Sequence, residues 1–159
     1  MMRPHRGFVF SLLVAAVLGA CNSSTSPDNN SCASFQGTWD AQSLFYTASA
    51  DPTVTADLKS EGAAVALKVD GNCNFTGTAN IPTVTDSTVD IDGDFTLEPA
   101  NQMILTDHTT VGQTLNGTYQ YTLAAGKLTL VDPEMEFDFD GAGPNPALPA
   151  TITIIFLKQ

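Results

Sequence analysis

The segment "STVDIDGDFTLEP" alternates without a slip. Val89, Ile91, Phe95 and Leu97 fall on one face, and Asp90, Asp92, Asp94 and Glu98 fall on the other. Side chains of a strand point to opposite faces in turn, so a period of two commits this stretch to a half-buried strand, apolar inside and acidic outside. The pattern recurs along the chain. Short runs rich in Thr, Val, Ile, Phe and Tyr cover 35–47, 63–69, 74–81, 102–110, 114–123, 127–131, 134–140 and the closing "TITIIFLK", and turn clusters such as Asp70-Gly71-Asn72 and "AAG" (124–126) separate them. In the 114–123 run Leu115, Tyr119, Tyr121 and Leu123 share a face. Gly93, in the middle of the opening segment, predicts a bulge or bend. No stretch keeps a helical period beyond two turns. "DPTVTADLKSEG" (51–62) has Asp51 as an N-cap before Pro52 and Gly62 as a stop, yet Val54, Ala56 and Leu58 also alternate, so helix, loop and strand stay open there.

About eight antiparallel strands, apolar on one face and acidic on the other, predict an all-β domain. The expected architecture is a small antiparallel up-and-down β-barrel, with a sandwich as the rival. Closure removes exposed edges, and eight strands leave an interior that side chains fill or one small ligand occupies.

The first residues, "MMRPHRGFVFSLLVAAVLGAC", are of another kind. Arg3, His5 and Arg6 precede an apolar run, and Leu18-Gly19-Ala20-Cys21 follows it. The run is roughly twelve residues, short of the ~20 that span a bilayer. The order resembles a bacterial lipoprotein signal ending in a lipobox, which implies that residues 1–20 are removed and that Cys21 carries lipid. The lipid would anchor the protein to a membrane of the cell envelope. Asn22 in the next position implies the outer membrane, as in enteric lipoproteins. "NSSTSPDNNS" (22–31) has no apolar residue and is expected to be a flexible tether. The expected organisation is therefore signal peptide 1–20, lipidated cysteine and tether 21–31, and barrel domain 32–159.

Removal of Arg3 and Arg6 takes the formal charge from −11 to −13 and leaves a chain without arginine. Nucleic-acid and other polyanionic partners need clustered Lys and Arg, so they are not expected. No protein partner can be named from the residues. Cys32 and Cys73 are an even pair in an oxidising compartment and are expected to form a disulfide, with free thiols or a metal pair as the alternatives.

The chemistry-bearing residues are sparse. His108 is the one histidine beyond the signal, and its neighbour Asp107 should point to the opposite face, which argues against a dyad. There is no G-x-S-x-G motif. The expectation is a non-enzymatic protein with no cofactor. Glu136-x-Asp138-x-Asp140-Gly141 matches half of a calcium loop, but the twelfth position is Ala147 and Pro144 and Pro146 interrupt it, so the run reads as a solvated acidic strand face without metal. Trp39, Phe45, Phe75, Phe95, Tyr119, Tyr121, Phe137, Phe139 and Phe156 lie on faces shared with Val, Ile and Leu. They fill the interior or line a pocket for a small hydrophobic molecule. The pocket candidates are Trp39, Phe75, Phe95, Tyr119, Tyr121 and Phe137.

Three stretches carry a resemblance: "GTWDAQSLFYTA" (37–48), "DLKSEGAAVALKVDGNCNFTGTANIP" (57–82) and "GTYQYTLAAGKLTLVD" (117–132). Together they resemble the lipocalin-like domains of bacterial lipoproteins, in which Gly-x-Trp opens the first strand. "GNCNFTG" (71–77) also resembles META-type envelope lipoproteins. The lipocalin resemblance implies a small barrel and no single function. It departs at two places: lipocalins carry a late arginine over the first-strand tryptophan, and this chain has none to offer Trp39; the helix expected after the last strand is also missing. Two functions are expected to compete. One is a lipid-anchored barrel that binds a small hydrophobic molecule; the other is a structural or protein-contact module of the envelope with a side-chain-filled barrel.

Overall fold

A computed structural model describes residues 31–82, 88–109, 115–140 and 147–159. The expected signal peptide, Cys21 and the expected tether as far as residue 30 lie outside the described residues, as do 83–87, 110–114 and 141–146. A single helical turn, α1 (Cys32–Phe35), leads into β1 (Gly37–Ala48), β2 (Thr55–Asp57), β3 (Ala64–Val69), β4 (Asn74–Asn80), β5 (Val89–Glu98), β6 (Gln102–Asp107), β7 (Gly117–Ala124), β8 (Lys127–Phe137) and β9 (Leu148–Lys158). From β3 onward each strand pairs antiparallel with the next, and β9 returns to pair with β1. The result is the expected closed, up-and-down barrel of eight strands, and not a sandwich. β2 stands outside the ring. It covers Phe45–Thr47 of β1 on the edge that β3 occupies only as far as Asp40.

The open stretch 51–62 is two tight turns around β2. The Asp51 carboxylate accepts the Thr53 amide (3.0 Å) and hydroxyl (2.7 Å), and Asp57 accepts the amides of Lys59 and Ser60 at 3.0 and 3.2 Å. Aspartates that could cap a helix here close Asx turns, which satisfy the same backbone donors with fewer residues fixed.

The alternation predicts the inner face well, with two bulges that it could not show. The runs 127–131 and 134–140 are not separate strands. β8 passes through both, to Phe137, with a bulge between Asp132 and Met135. β1 bulges between Ala41 and Ser43. The extra residue shifts the phase, so Trp39 and Ala41 face inward, then Leu44, and Phe45 is turned to the outer face instead of joining the apolar inner set. Gly93 is not a bulge: it sits in unbroken register between Phe75 and Asp107. A Cβ there would lie 2.6 Å from Cζ of Phe75, so the glycine makes room for a ring.

The two ends of the barrel differ. The short connections 70–73, 99–101 and 125–126 and the helix α1 lie at one end, called closed here. The last residues of β1, β4, β6 and β8 lie at the other, open end. Phe35 of α1 plugs the closed end, with the rings of Phe95 and Tyr121 edge-on at 5.3 and 5.4 Å. The Trp39 indole donates to the Phe35 carbonyl at 2.7 Å. Cys32 and Cys73 are joined, Cα to Cα 4.9 Å, and tie α1 to the β3–β4 turn. That turn is closed by Asp70, whose carboxylate accepts the amides of Asn72 and Asn74 (2.8 and 3.0 Å) and the Asn74 side chain (3.0 Å).

Candidate functional site

The interior of the closed half is solid. The cavity among Phe35, Leu67, Phe75, Phe95, Met103 and Leu130 measures about 20 Å³, room for one water at most, and its walls are apolar. Four of the six pocket candidates belong to this half: Trp39, Phe75, Phe95 and Tyr121 are all buried in the core. The structure does not bring them together with the other two. Tyr119 and Phe137 stand further up, toward the open end.

Trp39 has a cationic cover after all. Lys158 of β9 is its cross-strand partner, and the ammonium nitrogen lies 5.5 Å from the ring centroid. The absence of arginine excluded a guanidinium stack, not a cation over the ring. An outer depression of about 420 Å³ next to this pair is bordered by Ser34, Leu123, Ala124 and Gly126. It is open to solvent and offers a ligand little enclosure.

Toward the open end the inner face becomes polar. Met103, Leu105 and Asp107 follow one another inward on β6, and Leu128, Leu130 and Asp132 do so on β8. Asp107 and Asp132 are 4% and 7% exposed, which makes them the buried charged side chains among the described residues. β7 links them. The Asn116 carboxamide oxygen accepts the Asp107 amide, and a Cβ on the adjacent Gly117 would lie 3.0 Å from Oδ2 of Asp132 and 3.1 Å from the Tyr119 ring. Glycine at 117 therefore lets a carboxylate and a phenol ring approach the backbone closely.

The hydrogen bonds of the two aspartates are unequal. Oδ1 of Asp107 accepts both the amide (2.9 Å) and the hydroxyl of Thr109. Oδ2 of Asp107 is buried and has no hydrogen-bond partner among the described residues. Asp132 accepts the Glu134 amide at 2.9 Å, across the bulge in β8. A buried acceptor left without a donor costs about 1–3 kcal/mol, and more when it is charged. Among the described residues no cation answers these carboxylates from within: Lys59, Lys68, Lys127 and Lys158 are all exposed.

Above the aspartates is an aromatic rim. Tyr46 and Phe137 stack at 4.1 Å, and Phe139 meets Phe137 edge-on at 5.0 Å. Burial, then the charge of Asp132, raises the Tyr46 pKa; burial, Asp132 and Tyr46, in that order, raise that of Tyr119. Both phenols therefore stay neutral at ordinary pH. The Tyr119 hydroxyl donates to the Leu115 carbonyl at 3.3 Å, a long contact. Chemically this end offers hydrogen-bond acceptors and negative charge above an apolar floor.

His108, adjacent to Asp107, points outward as the alternation requires, and its Nε2 meets Asp94 at 3.0 Å on the outer surface. No group of three or more His, Cys, Asp or Glu side chains among the described residues is placed to hold a metal ion. Of the partial calcium loop, Glu136 and Asp138 are described, and Gly141 lies outside the described residues. Asp107 and Asp132 were not among the site candidates drawn from sequence. The signal was present, since each ends a strict inward alternation of apolar residues. Weighing Asp107 only against His108 hid it. Neither a protein-family model, nor a curated protein, nor a solved structure matches this chain.

Proposed function

We propose that this chain is a lipid-anchored protein of the bacterial envelope, non-enzymatic, whose barrel takes a small molecule at its open end. The observation that carries the binding reading is the change of character along the lumen: a solid apolar floor, then two buried aspartates, then an aromatic rim. Binding sites typically combine apolar and aromatic surface with a few placed polar groups, and this end carries residues of both kinds. The filled floor limits any ligand to the upper lumen. Support for a non-enzymatic role is that His108 is occupied with Asp94 outside the barrel and that both described cysteines are joined. Support for the anchor is the order of n-region, apolar run and Leu-Gly-Ala-Cys in the sequence.

The test has two arms on the full-length chain expressed in a bacterial host. Labelled palmitate should enter the wild type and not Cys21→Ala, and the wild type should fractionate with membranes; label on both chains refutes the anchor. Native mass spectrometry of the purified protein should show a reproducible small-molecule adduct, and a bare mass under all growth conditions refutes binding. The solid floor favours a second reading, a structural or protein-contact module without ligand, which that bare mass would support.

A further inference from the structure

Building on the reading that the open end binds a small molecule, we propose that the ligand is a small organic cation, an ammonium group carried on an apolar or aromatic body. Oδ2 of Asp107 is buried on the inner face with no hydrogen-bond partner among the described residues, so it is an acceptor that a donor would satisfy. Asp132 adds a second carboxylate from β8, separated from Asp107 by Asn116 and by Gly117, the first residue of β7. Among the described residues no lysine is buried beside either, and the neutral phenols of Tyr46 and Tyr119 carry no charge to pair with them. An anion would meet two like charges. A neutral apolar molecule would leave Oδ2 of Asp107 unpaired, and sites with a buried polar group discriminate strongly against ligands that fail to pair it. A bare metal ion would find neither a third carboxylate nor a histidine here, and hard cations take six or more oxygens. The rim above the acids fits an organic body instead: the Tyr46–Phe137 stack and the edge of Phe139 present faces that attract a cation and pack an aromatic or alkyl group. Charge-assisted bonds to a desolvated carboxylate would then give the selectivity, and the rim the contact area.

Isothermal titration of the full-length protein at low salt and neutral pH tests this with three probes of one shape: 2-phenylethylammonium, 2-phenylethanol and 3-phenylpropanoate. The expected result is that the ammonium binds at least tenfold more tightly than the alcohol, and that the carboxylate does not bind. Asp107→Asn and, separately, Asp132→Asn should each remove most of that preference, while Asp94→Asn on the outer surface should not. Thermal melts confirm that each variant folds, and two inner variants guard against the loss of one. Equal or tighter binding of the alcohol or the carboxylate overturns the cation and leaves the binding reading standing. Binding of none of the three, together with a bare mass in the native spectrum, overturns both. Calcium binding lost in Asp107→Asn, without ammonium binding, also overturns the proposal.

Discussion

Phe35 and Phe137 are both aromatic, both near an end of the same barrel, and their surroundings have little in common. Phe35 is 1% exposed, held between Phe95 and Tyr121, under a helix stapled to the β3–β4 turn by Cys32 and Cys73. Phe137 is half-buried on the last residue of β8, stacked on Tyr46, beside buried carboxylates and beyond a bulge. At the closed end the satisfied Asp70 turn, the disulfide and the packed plug stabilise, and they outweigh the positive φ of Cys73, Ala100, Asn101 and Ala125 in its tight turns. At the open end the chain retains features that lower stability, and groups of that kind concentrate where a protein binds something. The lesson is that one sheet is packed as a foundation at one end and carries buried charge at the other.

The contrast can be broken most directly at the plug. Phe35→Ala should destabilise the fold by about 3–5 kcal/mol, whereas Phe137→Ala should lower stability by less than about 1.5 kcal/mol. Urea unfolding of the two variants measures both; comparable losses would mean that the ends are not different in kind. Next in size is the staple. Cys32→Ser with Cys73→Ser opens a loop of 41 residues and should lower stability by roughly 3–4 kcal/mol, read from the shift in the denaturant midpoint.

Alkaline titration probes the boundary between the halves. Tyr119 has a folded pKa raised above its ordinary value of 10.0 by burial and by Asp132. Its contribution to stability is whole below that value and is lost as pH rises from there through the folded pKa, because the unfolded chain ionises first. Stability should hold up to about pH 10 and fall beyond it, phenolate absorbance should rise with unfolding, and Tyr119→Phe should flatten the fall. A phenolate signal for Tyr119 below pH 10, with the fold intact, would contradict this.

Two smaller effects sharpen the closed end. Lys158→Met keeps the methylene cover on Trp39 and removes the charge, and should reduce stability by about 0.5 kcal/mol while changing the tryptophan fluorescence. Asp70 is held below the usual carboxylate range, first by the Asn74 side chain and then by the Asn72 and Asn74 amides. Its contribution is present above the unfolded carboxylate pKa and is lost as pH falls through the lower folded value. Asp70→Ala should therefore weaken the protein slightly at neutral pH and leave it unchanged relative to wild type at strongly acidic pH, as chemical denaturation at both would show.

Much of this was legible in the residues. The alternation of Val89, Ile91, Phe95 and Leu97 and the matching runs gave the strands, the inward faces and the number needed to close a ring. Asp70-Gly71-Asn72 and Ala125-Gly126 gave the hairpins of the closed end. The site was less visible. Of the six aromatics expected at a pocket, Tyr119 and Phe137 belong to the upper lumen, and the other four are floor. Asp107 and Asp132 were readable from alternation but looked like surface acids, because most acids in this chain are.

What the sequence determined alone is local: which residues alternate, where turns break the runs, that no arginine follows residue 6, and that two cysteines remain to pair beyond Cys21. Each follows from a property of neighbouring residues. Only the tertiary structure decided where β1 and β8 bulge, why Gly93 is glycine, that Phe45 faces out, and that Lys158 covers Trp39. It also decided that the lumen is full at the closed end and acidic toward the other. These depend on register between strands far apart in the chain, and a single inserted residue reverses the face of everything after it.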